Sequence, residues 1–206
     1  NCLFSGVTVV RNNDMFSRQG WSPNGGTIID IATQGPLRLN YKISTGNTYF
    51  VWNNTLEGGF QGVSIRNSDG TGDMPEVNYI FDGNYILGTY QADSMMLLEA
   101  SGGTVRNNLF NNPDIAGRED ANNSGEFISL DTSNSVDLDE PIEIYSNTFV
   151  NNRDNSVTST PMTLVSSSSF TDVTTQNNVE HQPNATGGTD SSPLGDDTNI
   201  FTPREI

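Results

Sequence analysis

The sequence predicts an all-β chain: a single-stranded parallel β-helix, a solenoid of about five to six coils with variable loops between its strands. Three observations carry that expectation. A short unit, apolar-x-x-Asn-x-apolar, occurs six times in diverged form. Short segments with apolar residues at a period of two recur between those units. Only 33% of the 206 residues are hydrophobic, too few for a thick globular core but enough for the narrow core of a solenoid.

The six units, in order, begin with Val10-Arg11-Asn12-Asn13-Asp14-Met15 and Val51-Trp52-Asn53-Asn54-Thr55-Leu56. Next come Phe81-Asp82-Gly83-Asn84-Tyr85-Ile86 and Val105-Arg106-Asn107-Asn108-Leu109-Phe110. The series closes with Ile144-Tyr145-Ser146-Asn147-Thr148-Phe149 and the weaker Thr175-Gln176-Asn177-Asn178-Val179-Glu180, which lacks both apolar flanks. The aligned Asn positions step by 41, 30, 24, 39 and 31 residues, so loops of unequal length must separate the strands of each coil.

Between the units lie Ile29-Asp30-Ile31, Val63-Ser64-Ile65, Met96-Leu97-Leu98, Ile128-Ser129-Leu130 and Met162-Thr163-Leu164. Their last apolar residues step by 34, 33, 32 and 34 positions. Alternation this short reads as strand, and its near-constant spacing predicts one such strand per coil. Residues 31, 65, 98, 130 and 164 are then expected in one inward stack. Coils stacked about 4.8 Å apart bring equivalent residues directly above one another. Asn at a turn tolerates the left-handed backbone conformation and bonds to the main chain. Asn13, Asn54, Asn84, Asn108, Asn147 and Asn178 are therefore expected to form a structural ladder, with amides bonded along the stack.

The units at 105–110 and 144–149 resemble the turn-plus-strand repeat of the right-handed parallel β-helix (pectate-lyase-like) superfamily, which includes polysaccharide enzymes, bacterial surface proteins and phage tailspikes. The resemblance covers residues 7–182 and implies right-handed coils. It implies fold far more than function, because the matching residues are the structural ones. Surface or tailspike-type and polysaccharide-active members both stay open.

Residues 1–184 carry the repeats; residues 185–206 depart from them and are expected to form a C-terminal cap or tail. The chain opens at Asn1-Cys2-Leu3-Phe4, almost within a repeat, so a longer parent chain is expected. No 18-residue apolar stretch occurs, and no membrane span is expected. The net charge of −16, from 25 acidic and 9 basic residues, argues against nucleic acid as a partner, because phosphate binding needs a basic stripe. One cysteine, Cys2, excludes an intrachain disulfide framework.

Several residues are candidates for chemistry. By alternation the residues after the inward stack, among them Arg66, Glu99 and Asp131, face outward. Glu99 and Asp131, one coil apart, have the spacing of a retaining glycosidase pair or of two oxygen ligands for a cation. A solvated charge ladder is the more ordinary use of such a column. The residues just before the Asn pairs form a second outward column: Arg11, Trp52, Asp82, Arg106, Tyr145 and Gln176. In it, Arg11, Trp52, Arg106 and Tyr145 offer a track for an extended glycan, with rings packing on sugar faces and guanidinium groups bonding hydroxyls. Ordinary cross-strand stacking of bulky side chains is the competing use.

The loop 67–73 carries Asp69 and Asp73 among glycines. It is a candidate Ca2+ loop, although it lacks the full spacing and terminal Glu of an EF-hand. A lyase needs a base and a cation near its substrate. Lys42 is the only lysine and His181 the only histidine, far apart by coil count, and Arg38 is the cation near Lys42. No phosphate loop, zinc spacing or nucleophile elbow occurs.

The expected function is an extracellular, cell-surface or virion-surface module, structural and glycan-binding, of adhesin, tailspike or filament type. Its expected partners are a polysaccharide or cell-surface glycan and further copies of itself, as a trimer or filament. The alternative is a polysaccharide lyase or glycoside hydrolase acting on an extended glycan through Glu99 and Asp131.

Overall fold

The computed structural model describes residues 6–17, 37–41, 47–58, 63–67, 77–87, 94–100, 102–112, 126–130, 140–151, 163–167, 172–182 and 200–203. Every regular element among them is a strand, and every strand pairing is parallel. The first sheet runs β1 (Gly6–Arg11), β4 (Asn47–Trp52), β7 (Val77–Asp82), β10 (Gly103–Arg106), β13 (Ile142–Tyr145) and β16 (Val173–Gln176). The second runs β2 (Asp14–Ser17), β5 (Thr55–Gly58), β8 (Tyr85–Leu87), β11 (Leu109–Asn112), β14 (Thr148–Asn151), β17 (Val179–Gln182) and β18 (Ile200–Pro203). The third runs β3 (Leu37–Tyr41), β6 (Val63–Asn67), β9 (Ser94–Leu98), β12 (Glu126–Leu130) and β15 (Thr163–Ser167). From β1 to β17 the chain visits the sheets in turn, so each strand pairs with the strand three places away in chain order.

The strands form where β-branched and aromatic residues alternate, as in Asn47-Thr48-Tyr49-Phe50-Val51-Trp52. Tyr49 and Val51 are buried, whereas Phe50 and Trp52 are half-buried on the opposite face. The inward residues of all three sheets join one core. Val51, Phe81, Val105 and Ile144 supply one column, with Thr175 at its end. Leu56, Ile86, Phe110 and Phe149 supply the second, where the Phe110 and Phe149 rings stack at 4.7 Å. Phe127 of the third sheet meets Phe149 of the second at 5.0 Å, which ties the sheets together.

The last, weak repeat keeps its place although its inward residues are polar. Thr175 and Glu180 fill the slots that apolar residues fill elsewhere, and both are buried. β18 extends the second sheet past β17, with Ile200 opposite Val179 and Pro203 opposite Gln182.

The third sheet corrects the expected stack. Its inward column is Leu39, Ile65, Leu98 and Leu130, spaced by 26, 33 and 32 residues, and the next strand brings Ser167, 37 residues on, into register with Leu130. Ile65, Leu98 and Leu130 are buried in one file as expected. Ile31 is replaced by Leu39, and residues 18–36 lie outside the described residues. Leu164 is out of register, because Leu130 faces Ser167. The apolar-x-apolar pattern recurs at 29–31 and at 37–39, and loops of unequal length free the chain from a fixed period.

Candidate outer-face binding strip

The geometry starts at the corner between the first and second sheets. Six corner residues have positive φ: Asn12 at 55°, Asn53 at 52°, Gly83 at 65°, Asn107 at 54°, Ser146 at 55° and Asn177 at 52°. All six are exposed. The ladder Asn is the residue that follows each of them. The pair therefore divides the work that the sequence reading placed on one residue. The first residue turns the chain, where Asn, Gly and Ser are all tolerated. The second carries the bonds.

Those bonds repeat at every step. Asn84 donates through its backbone N–H and its Nδ2 to Oδ1 of Asn108, both at 2.9 Å. Asn108 donates in the same way to Asn147, both at 3.0 Å. Asn108 Nδ2 also reaches back to the carbonyl of Phe81 at 3.0 Å. Equivalent bonds join Asn13 to Asn54, Asn54 to Asn84, and Asn147 to Asn178. Asn54, Asn84, Asn108, Asn147 and Asn178 are buried, and Asn13 at the end is exposed. A further Asn contact, outside the ladder, joins Asn112 Nδ2 to Asn151 Oδ1 at 3.1 Å. The paired polar residues at 111–112 and 151–152 carried that signal in the sequence.

The fixed corner sets the register of the residues before it. Arg11, Trp52, Asp82, Arg106, Tyr145 and Gln176 lie in one row across six neighbouring strands. Arg11 and Gln176 are exposed, and the four between them are half-buried. The Arg11 guanidinium carbon lies 5.8 Å from the centroid of the Trp52 ring, within cation–π range. Arg106 Nε and one terminal nitrogen both reach Asp82 Oδ2 at 2.9 Å. Its other terminal nitrogen donates to the Tyr145 hydroxyl at 3.1 Å. Asn107 Nδ2 donates to the second Asp82 oxygen at 2.9 Å. The Tyr145 hydroxyl, then the Asp82 carboxylate, push the Arg106 pKa above its ordinary value, so this cation is permanent. Partly exposed as the pair is, it fixes side-chain geometry more than it stabilises the fold.

All four glycan-contact candidates thus fall on one face. The row beside them was not singled out in the sequence: Val9, Phe50, Ile80, Thr104, Glu143 and Thr174. Alternation two residues upstream of the first row was the signal for it. Phe50 meets Trp52 edge to face, with centroids 6.2 Å apart and planes 71° apart.

The other candidates are placed differently. Glu99 is buried at 8% exposure, and its backbone N–H bonds the Ile65 carbonyl at 2.9 Å. The expectation that Glu99 faces solvent is corrected: outward-facing Ser64 and Leu97 are buried as well, so this side of the third sheet is covered. Asp131, its proposed partner, lies outside the described residues, as do Asp69, Asp73 and Lys42. Among the described residues no three His, Cys, Asp or Glu side chains gather closely enough to hold a metal ion. His181 is exposed on β17. No helix among the described residues is long and apolar enough to cross a membrane.

No protein-family model, curated protein or solved structure matches this chain.

Proposed function

We propose that the three parallel sheets are the faces of a right-handed parallel β-helix, and that the outward face of the first sheet binds an extended glycan. The handedness rests on the rule that connections between parallel strands of one sheet are right-handed in about 98% of cases. The binding reading rests on one observation: Arg11, Trp52, Arg106 and Tyr145 stand in register on one half-exposed row. Adjacent strands space that row at about 4.8 Å, a regular track for a repeating polymer. Fixed donors beside aromatic rings are what a polyhydroxylated chain with apolar ring faces requires. The module works outside the cell or on a virion surface, where it presents a rigid face to polysaccharide. Assembly into trimers or filaments belongs to the same reading and is measured by sedimentation.

A glycan array spanning neutral and acidic polysaccharides tests the reading. The intact protein binds at least one extended glycan, and Trp52→Ala and Tyr145→Ala each weaken that binding at least tenfold while the fold survives. An array with no binding, or variants that bind as the parent does, would remove the strip from consideration.

A further inference from the structure

Asp82 is the one acid in the row that carries the glycan-contact candidates. It stands between Trp52 and Arg106 on the neighbouring strands. Both its oxygens are engaged. Oδ2 accepts from Nε and one terminal nitrogen of Arg106, each at 2.9 Å, and Oδ1 accepts from Nδ2 of Asn107 at 2.9 Å. The remaining Arg106 nitrogen is held by the Tyr145 hydroxyl at 3.1 Å. Every nitrogen of this cation thus has a partner, yet the pair stays open to solvent, with side-chain exposures of 38% and 31%. In the adjacent row the one charged residue is Glu143, which is exposed. Over the two rows the cations Arg11 and Arg106 are matched by the anions Asp82 and Glu143.

We infer that Asp82 determines the specificity of the strip: it keeps the Arg106 charge cancelled, so that the strip takes uncharged glycans and turns away polyuronates. The inference rests on the glycan-binding reading and names its ligand class. Two observations carry it. The first is local. A uronate carboxylate that approaches Arg106 meets the Asp82 carboxylate already seated on the same guanidinium, and like charges repel. A sugar hydroxyl meets no such conflict. It accepts from the guanidinium hydrogens left over and donates to the carboxylate, because a hydroxyl is donor and acceptor at once. Arg106 thereby serves as a fixed hydrogen-bond donor and not as a counter-charge. The second observation is global. The protein carries a net charge of −16, and a face whose cations are cancelled adds no positive field to draw in a polyanion.

Affinities of the full chain for a panel of uncharged and uronate-bearing soluble polysaccharides, measured at low salt, test this. The polymers that the parent binds are expected to be uncharged. Asp82→Asn keeps the shape of the side chain and removes its charge. This variant is expected to gain at least tenfold in affinity for polygalacturonate or alginate, and to lose the gain at high salt, because exposed charges are screened. Adding Arg106→Gln to Asp82→Asn is expected to cancel the gain, since the freed cation is gone. Glu57→Gln removes one negative charge from the second sheet and is expected to leave polyuronate binding unchanged. Circular dichroism of each variant reports retention of the fold. A parent that binds polyuronates as tightly as uncharged polymers overturns the inference. So does an Asp82→Asn protein with no gain, a gain that survives Arg106→Gln, or an equal gain from Glu57→Gln. Any of these, with parent binding that depends on Trp52 and Tyr145, leaves the broader reading standing. No binding of any polymer by the parent removes both.

Discussion

Asn84 and Asn108 lie 24 residues apart in the chain, yet the backbone N–H and side-chain amide of Asn84 both end on one oxygen of Asn108 at 2.9 Å. Asn108 passes the same pair of bonds on to Asn147. Its amide thus uses both donors and receives two hydrogens on its oxygen, inside a buried seam. Asn108→Ala takes the acceptor from the Asn84 N–H and side-chain amide and removes the side-chain bond to the Phe81 carbonyl. Each orphaned buried group costs about 1–3 kcal/mol, so a loss of roughly 2–5 kcal/mol is expected in denaturant unfolding. Asn13→Ala, at the exposed end, is expected to cost about 1 kcal/mol or less. Equal losses at both positions would contradict the buried-seam account.

Gly103 sits opposite Tyr79 on the neighbouring strand, and a methyl group there would collide with Cε2, Cζ and Cδ2 of the Tyr79 ring. The missing side chain is what lets that ring lie along the stack. Gly103→Ala is expected to destabilise by about 1–3 kcal/mol through overpacking. Tyr79→Leu should recover part of the loss in the double variant, and a double-mutant cycle measures the coupling.

Burial raises the pKa of Tyr79 well above its ordinary value of 10.0, and raises that of Tyr49 too. A phenol with a raised folded-state pKa keeps its proton while its unfolded counterpart loses it. The unfolded state then binds fewer protons, and stability falls as pH rises above about 10, by up to about 1.4 kcal/mol per pH unit for each group. Among the described residues the Tyr79 hydroxyl has no hydrogen-bond partner. Tyr79→Phe is therefore expected to be neutral or stabilising near pH 7 and to flatten the alkaline limb. Urea melts at pH 7, 10 and 11 check both outcomes.

Gly83 is the one glycine among the six left-handed corner residues, and a Cβ there would lie 2.9 Å from Asn53 Oδ1. That oxygen ends a short exposed side chain and can swing aside. Gly83→Asn should cost under about 1 kcal/mol, since Asn holds this conformation at four other corners. Gly83→Val should cost clearly more, because a β-branched residue resists positive φ. Comparable thermal midpoints for the two would show that backbone conformation is not the constraint.

The corner was legible because its signal is chemical as well as periodic. An Asn flanked by apolar residues three before and two after marks five of the six copies, and the row holding Arg11, Trp52, Arg106 and Tyr145 follows at a fixed offset. The split of labour within the pair was also written there. The first position varies among Asn, Gly83 and Ser146, whereas the second is Asn in all six copies. The third sheet has no such marker. Ile29-Asp30-Ile31 and Leu37-Arg38-Leu39 offer the same alternation, and pairing with β6 selects the second. The burial of Glu99 was not legible either, because local alternation reports which way a side chain points and not what lies over it.

The corner holds two residues between strands in all six copies, while the link from the second sheet to the third runs from four residues (59–62) to nineteen (18–36). Loop-closure scaling puts the entropic difference between those extremes at only about 1.4 kcal/mol. The molecule thus separates an edge on which length is rationed from one on which length is nearly without cost. One residue added between Asn107 and Asn108 would turn every side chain of β11 to the opposite face. The same residue added at 113–125 would leave all three sheets in register. New sequence can accumulate along that permissive edge, beside an outer face whose rows stay aligned.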